Sequence, residues 1–597
     1  MRNNLPNTWP PKRDLYFPET VPLGWLDVRE GLESTGPYEE VDSDWDPFIG
    51  DFSWRRFGAA HGTLTIPAGL EARLRINQQA AYDLSPLARL QPNGVQVLDL
   101  RLKPVTDEQL IHIAGWNSLH TLSLSGAKIT GHSLRHLHGL TGLRHLSFTP
   151  ISWPLDPSRT HTPIDDEMVA IKELGNLETL YLTVNQLAGH GITYLQSLPR
   201  LRTLRLSIAQ GWGPQGWKAI GKLRGLRRLD LGGTSLSSTN LDSIGNLADL
   251  RELNLIRTWY KDSLGFVPAL RQLRAIYISH TQIADAELAH LAELPELRKV
   301  DYSANRVGNE GIKHLAAIPA LNDLDLSTYD SGFPPTITVQ SCRLLSQSRH
   351  LEKLDLSGTK LDEQGLVYIG QLFALQELRL ERTGTSDTGL AYLANLNKLR
   401  VLNLWQTSIS DNGLPYLGGI KNLEELELVA TKVHGPGLIH LQGLVNLKKL
   451  SFGGTAEFQG RQLSRLSELT NLEDLYLEGE GIRDEDLHHL PGYIHLQRLA
   501  LTSTSISDKL LAELSQFMHV RMLDLSRTSI GDAGVTYLGR LTSLEDLDLS
   551  RTNITDAGLR SLEQLNGLER LNLLGTSATQ AGIARFKSAL PNCEISG

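Results

Sequence analysis

The chain has 597 residues, with 58 basic and 67 acidic side chains, a net charge of −9 and two cysteines. That balance leaves no basic footprint for nucleic acid, and Cys342 and Cys593 are too few and too far apart for a disulfide framework. The start, MRNNLPNTWPPKRD, lacks the apolar stretch of a secretory signal, and no run approaches the ~18 apolar residues of a membrane span. A soluble, cytoplasmic protein is expected.

Residues 1–69 stand apart in composition. Pro6, Pro10, Pro11, Pro18 and Pro22 oppose helix. Trp9, Trp25, Trp45 and Trp54 are dense for so short a stretch, and Glu39, Glu40, Asp42, Asp44, Asp46 and Asp51 make it acidic. The segment reads as an irregular cap over the open end of the longer C-terminal region, or as an arm for a basic partner.

From about residue 70 to 597 the chain repeats itself. The clearest copy is Leu541 to Gly567, LTSLEDLDLSRTNITDAGLRSLEQLNG, and the step from Leu544 to Leu568 is 24 residues. The first leucine position recurs in twenty copies, among them Val95, Leu119, Leu143, Leu177, Leu201, Leu226, Leu250 and Leu273. It continues through Leu297, Leu321, Leu351, Leu375, Leu399, Leu423, Leu447, Leu472, Leu496, Val520, Leu544 and Leu568. Leu74 with Ile76, and Leu590, Cys593 and Ile595, mark degenerate coils at the two ends. A fixed period of this size signals a solenoid. Within a coil, Leu547 and Leu549 alternate with Asp546, Asp548 and Ser550, as in a short strand. Leu559, Leu562 and Leu565 recur every third residue, which suits a short α or 3₁₀ turn capped by Thr555 or Asp556. Gly558, in the first turn, is expected to let the next coil approach. One coil cannot close its own core, so neighbours must share it.

The wording L-x-x-L-x-L-x-x-T-x-I-T-D-x-G-L-x-x-L resembles the leucine-rich repeat family, closest to its ribonuclease-inhibitor-like or cysteine-containing type, with Thr at the Asn/Cys position. The resemblance implies an α/β solenoid: a right-handed horseshoe with a parallel concave sheet and short helices or 3₁₀ turns on the convex side. It also implies a protein-binding scaffold rather than an enzyme. A regulatory or substrate-recognition subunit, either an inhibitor or a ubiquitin-ligase-type adaptor, is the alternative, although the prolines of residues 1–69 oppose the helices of an F-box.

Two copies are long. Leu143 to Leu177 carries SWPLDPSRTHTPIDD with Trp153, and Leu321 to Leu351 carries TYDSGFPPTITVQS with Phe333. Insertions in such arrays map to loops, often on the binding face. The ninth repeat position is Thr in twelve copies, and its hydroxyl is expected to satisfy backbone groups at the end of the strand. His132, His136 and His138 have metal-like spacing. However, His112, His136, His290, His314, His440 and His489 share the eighteenth repeat position with Tyr194, Tyr368, Tyr392, Tyr416 and Tyr537. That column reads as ring packing, so no metal site, cofactor or catalytic residue is assigned. No P-loop, H-E-x-x-H or C-x-x-C is present.

Function is therefore sought on outward strand positions. The fifth repeat position carries Asp99, Asp230, Asp301, Asp325, Asp355, Glu427, Asp524 and Asp548, with Arg205 and Arg379 as its bases. Such a column favours a partner with a basic patch. Trp405 replaces the usual Ser, Thr or Gly at the seventh position, beside Arg379, Glu381, Arg382, Asn403 and Glu427. An exposed Trp flanked by Arg has the composition of a binding hot spot. A smaller cluster holds Asn254, Ile256, Arg257, Tyr277 and His280. The expected partner is a protein, with no nucleic acid and no membrane.

Overall fold

A computed structural model describes residues 10–19, 21–30, 54–149, 165–183, 190–207, 214–234, 236, 241–260, 263–328, 337–455 and 457–597. The chain forms two compact units, Met1–Thr258 and Trp259–Gly597. Trp153 and Phe333 lie outside the described residues.

In the first unit, β1 (Arg13–Tyr16) pairs antiparallel with β4 (Thr63–Ile66). β2 (Gly24–Glu30) lies antiparallel between β3 (Arg55–Ala59) and β5 (Leu70–Ile76). The described part of residues 1–69 is thus largely strand, where the composition suggested an irregular segment. Alternation explains part of the difference: Leu15 is buried between exposed Asp14 and Tyr16, and Leu26 and Val28 are buried in β2 despite the surrounding prolines. β5 also pairs parallel with β6 (Val97–Asp99), so β2 occupies what would be the open edge of the repeat sheet. Parallel pairing then runs Leu74, Leu98, Leu122, Leu146, Leu180, Leu204, Leu229 and Leu253. The long copy leaves Leu146 opposite Leu180, so its extra residues do not shift the register.

The second unit repeats the plan from Ile276 through Val300, Leu324, Leu354, Leu378 and Leu402 to Leu571 and Ile595. Its core is the predicted one: Leu544, Leu547, Leu549, Ile554, Leu562 and Leu565 are all 0% exposed. Each strand returns through a short turn. These are mostly 3₁₀ in the first unit, as at Glu108–Ile113 and Gly131–Leu137, and mostly α in the second from Asn309–Ala316 onward.

Three recurring devices shape each coil, and one of them ties it to its neighbour. The threonine hydroxyls donate to the carbonyl three residues back, as Thr407 to Leu404 at 2.7 Å and Thr431 to Leu428 at 2.7 Å, satisfying an acceptor at the strand end. The aspartate at the thirteenth position reaches forward. Asp532 accepts from Thr555 N at 2.8 Å, Thr555 Oγ1 at 2.6 Å and Gly558 N at 3.0 Å, all in the following coil. Asp387 does the same for Ser410, and Asp107 for Thr130 in the first unit. Gly558 therefore makes room for the preceding coil, not the next: a Cβ there would sit 2.5 Å from Asp532 Oδ1. Thr555 caps Ala557 N within its own coil, whereas Asp556 serves Thr579.

The third device leaves no mark that period alone reveals. The eighth position turns through the left-handed region, filled by glycine at Gly126, Gly233, Gly358 and Gly575. Leu102, Arg257, His280, Ala304, Arg382, Gln406, Ala430, Ser503, Arg527 and Arg551 adopt it with φ between 50° and 58°. Each such side chain costs about 1–2 kcal/mol.

Candidate partner-binding face

Outward side chains at the second and third repeat positions neutralise one another along the sheet. Lys299 meets Asp323 at 2.9 Å, Lys449 meets Glu425 at 2.8 Å, Arg498 meets Asp474 at 2.7 Å and Arg570 meets Asp546 at 2.6 Å. Parallel in-register strands put residues one repeat apart side by side, about 4.8 Å between strands. Alternating charges in the column thus become ion pairs, each worth little when exposed but together cancelling the field.

Along part of the fifth position the charges do not cancel. Asp301, Asp325 and Asp355 are register partners on successive strands. Each carboxylate accepts the backbone N–H two residues on, from Ser303 at 2.9 Å, Ser327 at 2.8 Å and Ser357 at 2.8 Å, which fixes its direction. None of the three forms an ion pair among the described residues. Burial, then the charges of Asp355 and Asp301, push Asp325 up to about 7. Burial likewise raises Asp355, against its Ser357 hydrogen bonds and the Arg379 guanidinium.

The next coils bring the predicted patch together. Arg379 is held by Glu377 at 2.6 Å; burial opposes its charge, but Glu377 keeps the guanidinium above its usual range. Asn403 donates to Glu381 and accepts from Trp405 N at 2.9 Å. Glu427 accepts from Val429 N at 2.9 Å, and burial raises its carboxyl. Trp405 is half-buried, not bare as its position suggested: the Arg382 guanidinium lies 4.5 Å from the ring centre and bonds Gln406 at 2.8 Å. The left-handed backbone at Arg382 and Gln406 accompanies that stacking.

The smaller cluster divides between the units. Arg257, at φ 55°, and buried Asn254 belong to the first; Tyr277, half-buried with the Lys299 ammonium 5.8 Å from its ring centre, belongs to the second. Sequence reasoning missed Trp259, which is 71% exposed and left-handed at φ 54°. Its signal was available: the tenth repeat position is otherwise small or polar, as Gln282, Arg306, Lys360, Ser408 and Asn553.

The ring column is mixed: Tyr194, Tyr368, His290, His314 and His489 are half-buried, as a packed ring with a polar tip would be, and others are not. Tyr392, Tyr416 and Tyr537 are 45%, 41% and 38% exposed, so their rings reach the surface of the turns. His132 bonds Glu167 at 2.6 Å while His136 faces Arg135 at 3.3 Å, so the two rings have different partners. Burial pushes the thiols of Cys342 and Cys593 up to about 12, which keeps both from acting as thiolates. No helix among the described residues is long and apolar enough to cross a membrane.

Models described as leucine-rich repeat region or leucine-rich repeat match residues 96–341, 347–370 and 518–577, together more than half of the chain. No curated protein matches. Among solved structures, an internalin of Listeria monocytogenes is 18% identical over 68% of this chain and 88% of its own, with a TM-score of 0.32. A leucine-rich repeat protein of Leptospira interrogans is 21% identical over 72% and 92%, with a TM-score of 0.34. The TLR13 chain of a TLR13–ssRNA13 complex is 19% identical over 88% and 94%, with a TM-score of 0.45. These are likenesses of fold alone.

Proposed function

Because the chain is a leucine-rich repeat protein, whose stacked coils present extended binding surfaces, we propose that the sheet face of the second unit binds a protein partner. The partner presents lysine or arginine to the Asp301, Asp325 and Asp355 column. The observation that carries this reading is the contrast within one face. Neighbouring columns neutralise themselves through paired charges, while three aligned carboxylates do not, and the middle one is raised to about 7. A cation from outside would relieve that repulsion, so binding energy is available there that folding leaves unused. A nucleic-acid backbone would meet like charge at the same place. Trp405, under Arg382, supplies an aromatic surface two coils further on.

The test is recovery of bound chains from native lysate by the wild-type protein and by the Asp325→Asn/Asp355→Asn double variant. The expected result is a bound chain that is lost from the double variant and released by moderate salt. Equal recovery by both proteins would overturn the reading.

A further inference from the structure

At the strand-entry edge of the second unit, an open groove of about 460 Å³ crosses the coils that follow the aspartate column. Its cations are Lys398, Arg400 and Lys448, and its carboxylate is Glu424. Glu424 is shared, accepting Arg400 Nε at 2.7 Å and Lys448 Nζ at 3.1 Å. The Arg400 hydrogen bond, with Lys448 beside it, holds that carboxyl down at about 2, so it stays ionised and occupied. Three cations against one spoken-for anion leave an excess of positive charge. Lys398 forms no ion pair among the described residues, and the terminal nitrogens of Arg400 make no hydrogen bond there.

The remaining lining is amide. Asn422 donates its Nδ2 to Asn397 O at 2.7 Å and Asn446 to Lys421 O at 2.9 Å, each on the preceding coil. Each amide nitrogen spends one of its two N–H groups there, and both side-chain oxygens are left as acceptors. The groove therefore offers cationic donors for a carboxylate beside acceptors for N–H groups. A peptide bearing acidic side chains supplies both; a free phosphate uses only the first.

We propose that this groove takes the carboxylate side chains of an acidic peptide segment, the part of the partner that comes after its basic one. The inference rests on the protein-binding reading above and gives it a direction. The strand Lys353–Asp355 pairs with Glu377–Arg379, so the aspartate column ends where the groove, beginning at Gln376, starts.

The experiment is calorimetric titration of the full chain at low salt with acetylated, amidated tetraglutamate, with tetralysine and with inorganic phosphate. Tetraglutamate is expected to bind. Lys398→Glu, a change at an exposed side chain, should weaken it at least tenfold, whereas Arg540→Glu, the same charge change on an exposed residue of another coil, should leave affinity within twofold. Loss of circular dichroism signal is checked first, and Lys398→Gln, expected to weaken binding several-fold, serves as the milder variant. Equal affinity of Lys398→Glu and wild type, or phosphate binding as tight as tetraglutamate, would overturn the assignment. The two readings fail separately: tetraglutamate tests the groove, and recovery by the Asp325→Asn/Asp355→Asn variant tests the column.

Discussion

In the unit that ends at Thr258, acidic side chains on the strands meet cations. Arg101 lies 2.6 Å from Asp99, Arg205 lies 3.1 Å from Asp230, and Arg29 lies 2.9 Å from Glu71. Burial works against the charge of Asp99, yet the Arg101 guanidinium holds it below the usual carboxylate range; at Asp230 burial prevails despite Arg205. In the unit that begins at Trp259, Asp301, Asp325 and Asp355 hold equivalent positions on equivalent strands and have no such partner. The same backbone plan thus carries one unit whose fifth-position carboxylates Asp99 and Asp230 are met by arginine and one where three successive carboxylates of that column are not, although its neighbouring columns pair their charges. Placement of charge, not coil geometry, separates scaffold from binding surface.

The comparison predicts first that the two cores are interchangeable in strength. Leu146→Ala in the first unit and Leu547→Ala in the second, both fully buried, should each cost about 2–5 kcal/mol in chemical denaturation. A value below about 1 kcal/mol for one of them would show that the units differ in packing as well as in charge.

The faces should differ in binding. Trp405→Ala is expected to weaken partner affinity by about 2 kcal/mol. Its folding should change by less than about 1 kcal/mol, the worth of the Arg382 stack. Unfolding of the array with affinity per folded molecule intact would move Trp405 into the core and off the interface.

Asp325 and Asp99 should also respond oppositely to pH. Asp325 has a folded pKa raised to about 7, above its unfolded value, so its contribution is complete below about pH 4 and is lost as pH rises towards 7. Asp325→Asn should therefore stabilise the protein by about 1–2 kcal/mol at pH 8, discounted for partial exposure, and do nothing near pH 4. Asp99, with its pKa lowered, contributes above its unfolded value and loses that as pH falls, so Asp99→Asn should destabilise at pH 7. Denaturation across about pH 2–8 checks both signs, since the Asp99 contribution is lost only below about pH 4. The smallest effect concerns the turn: Arg551→Gly, at φ 57°, should add up to about 1 kcal/mol, measured by the same method.

Much of this was legible in the sequence. The leucine spacing located the strands, because an inward side chain recurs wherever a coil is buried between two others, and Leu74 and Ile595 extended the series to both ends. The threonine column was readable because that carbonyl needs a short side-chain donor, a hydroxyl at Thr407 and an amide at Asn305. The direction of the Asp532 bond was not, since period alone cannot say whether a side chain serves its own coil or the next. Nor was the shielding of Trp405, which depends on a backbone turn at Arg382 that no residue type requires. Trp259 lies beyond the strand, where leucine spacing carries no information, though its position among polar residues marked it.

The forward reach of the aspartates gives the array a polarity that its repetition conceals. A coil such as the one containing Thr555 receives its cap from Asp532 and provides one, through Asp556, to its successor at Thr579. Removing a coil from the C-terminal side strips an acceptor of its donors on a surface that water can serve. Removing one from the N-terminal side leaves the next turn without its cap. Nested deletions should therefore be tolerated from one end and not from the other. A ribosome that releases coils in order always presents the finished cap before the turn that needs it.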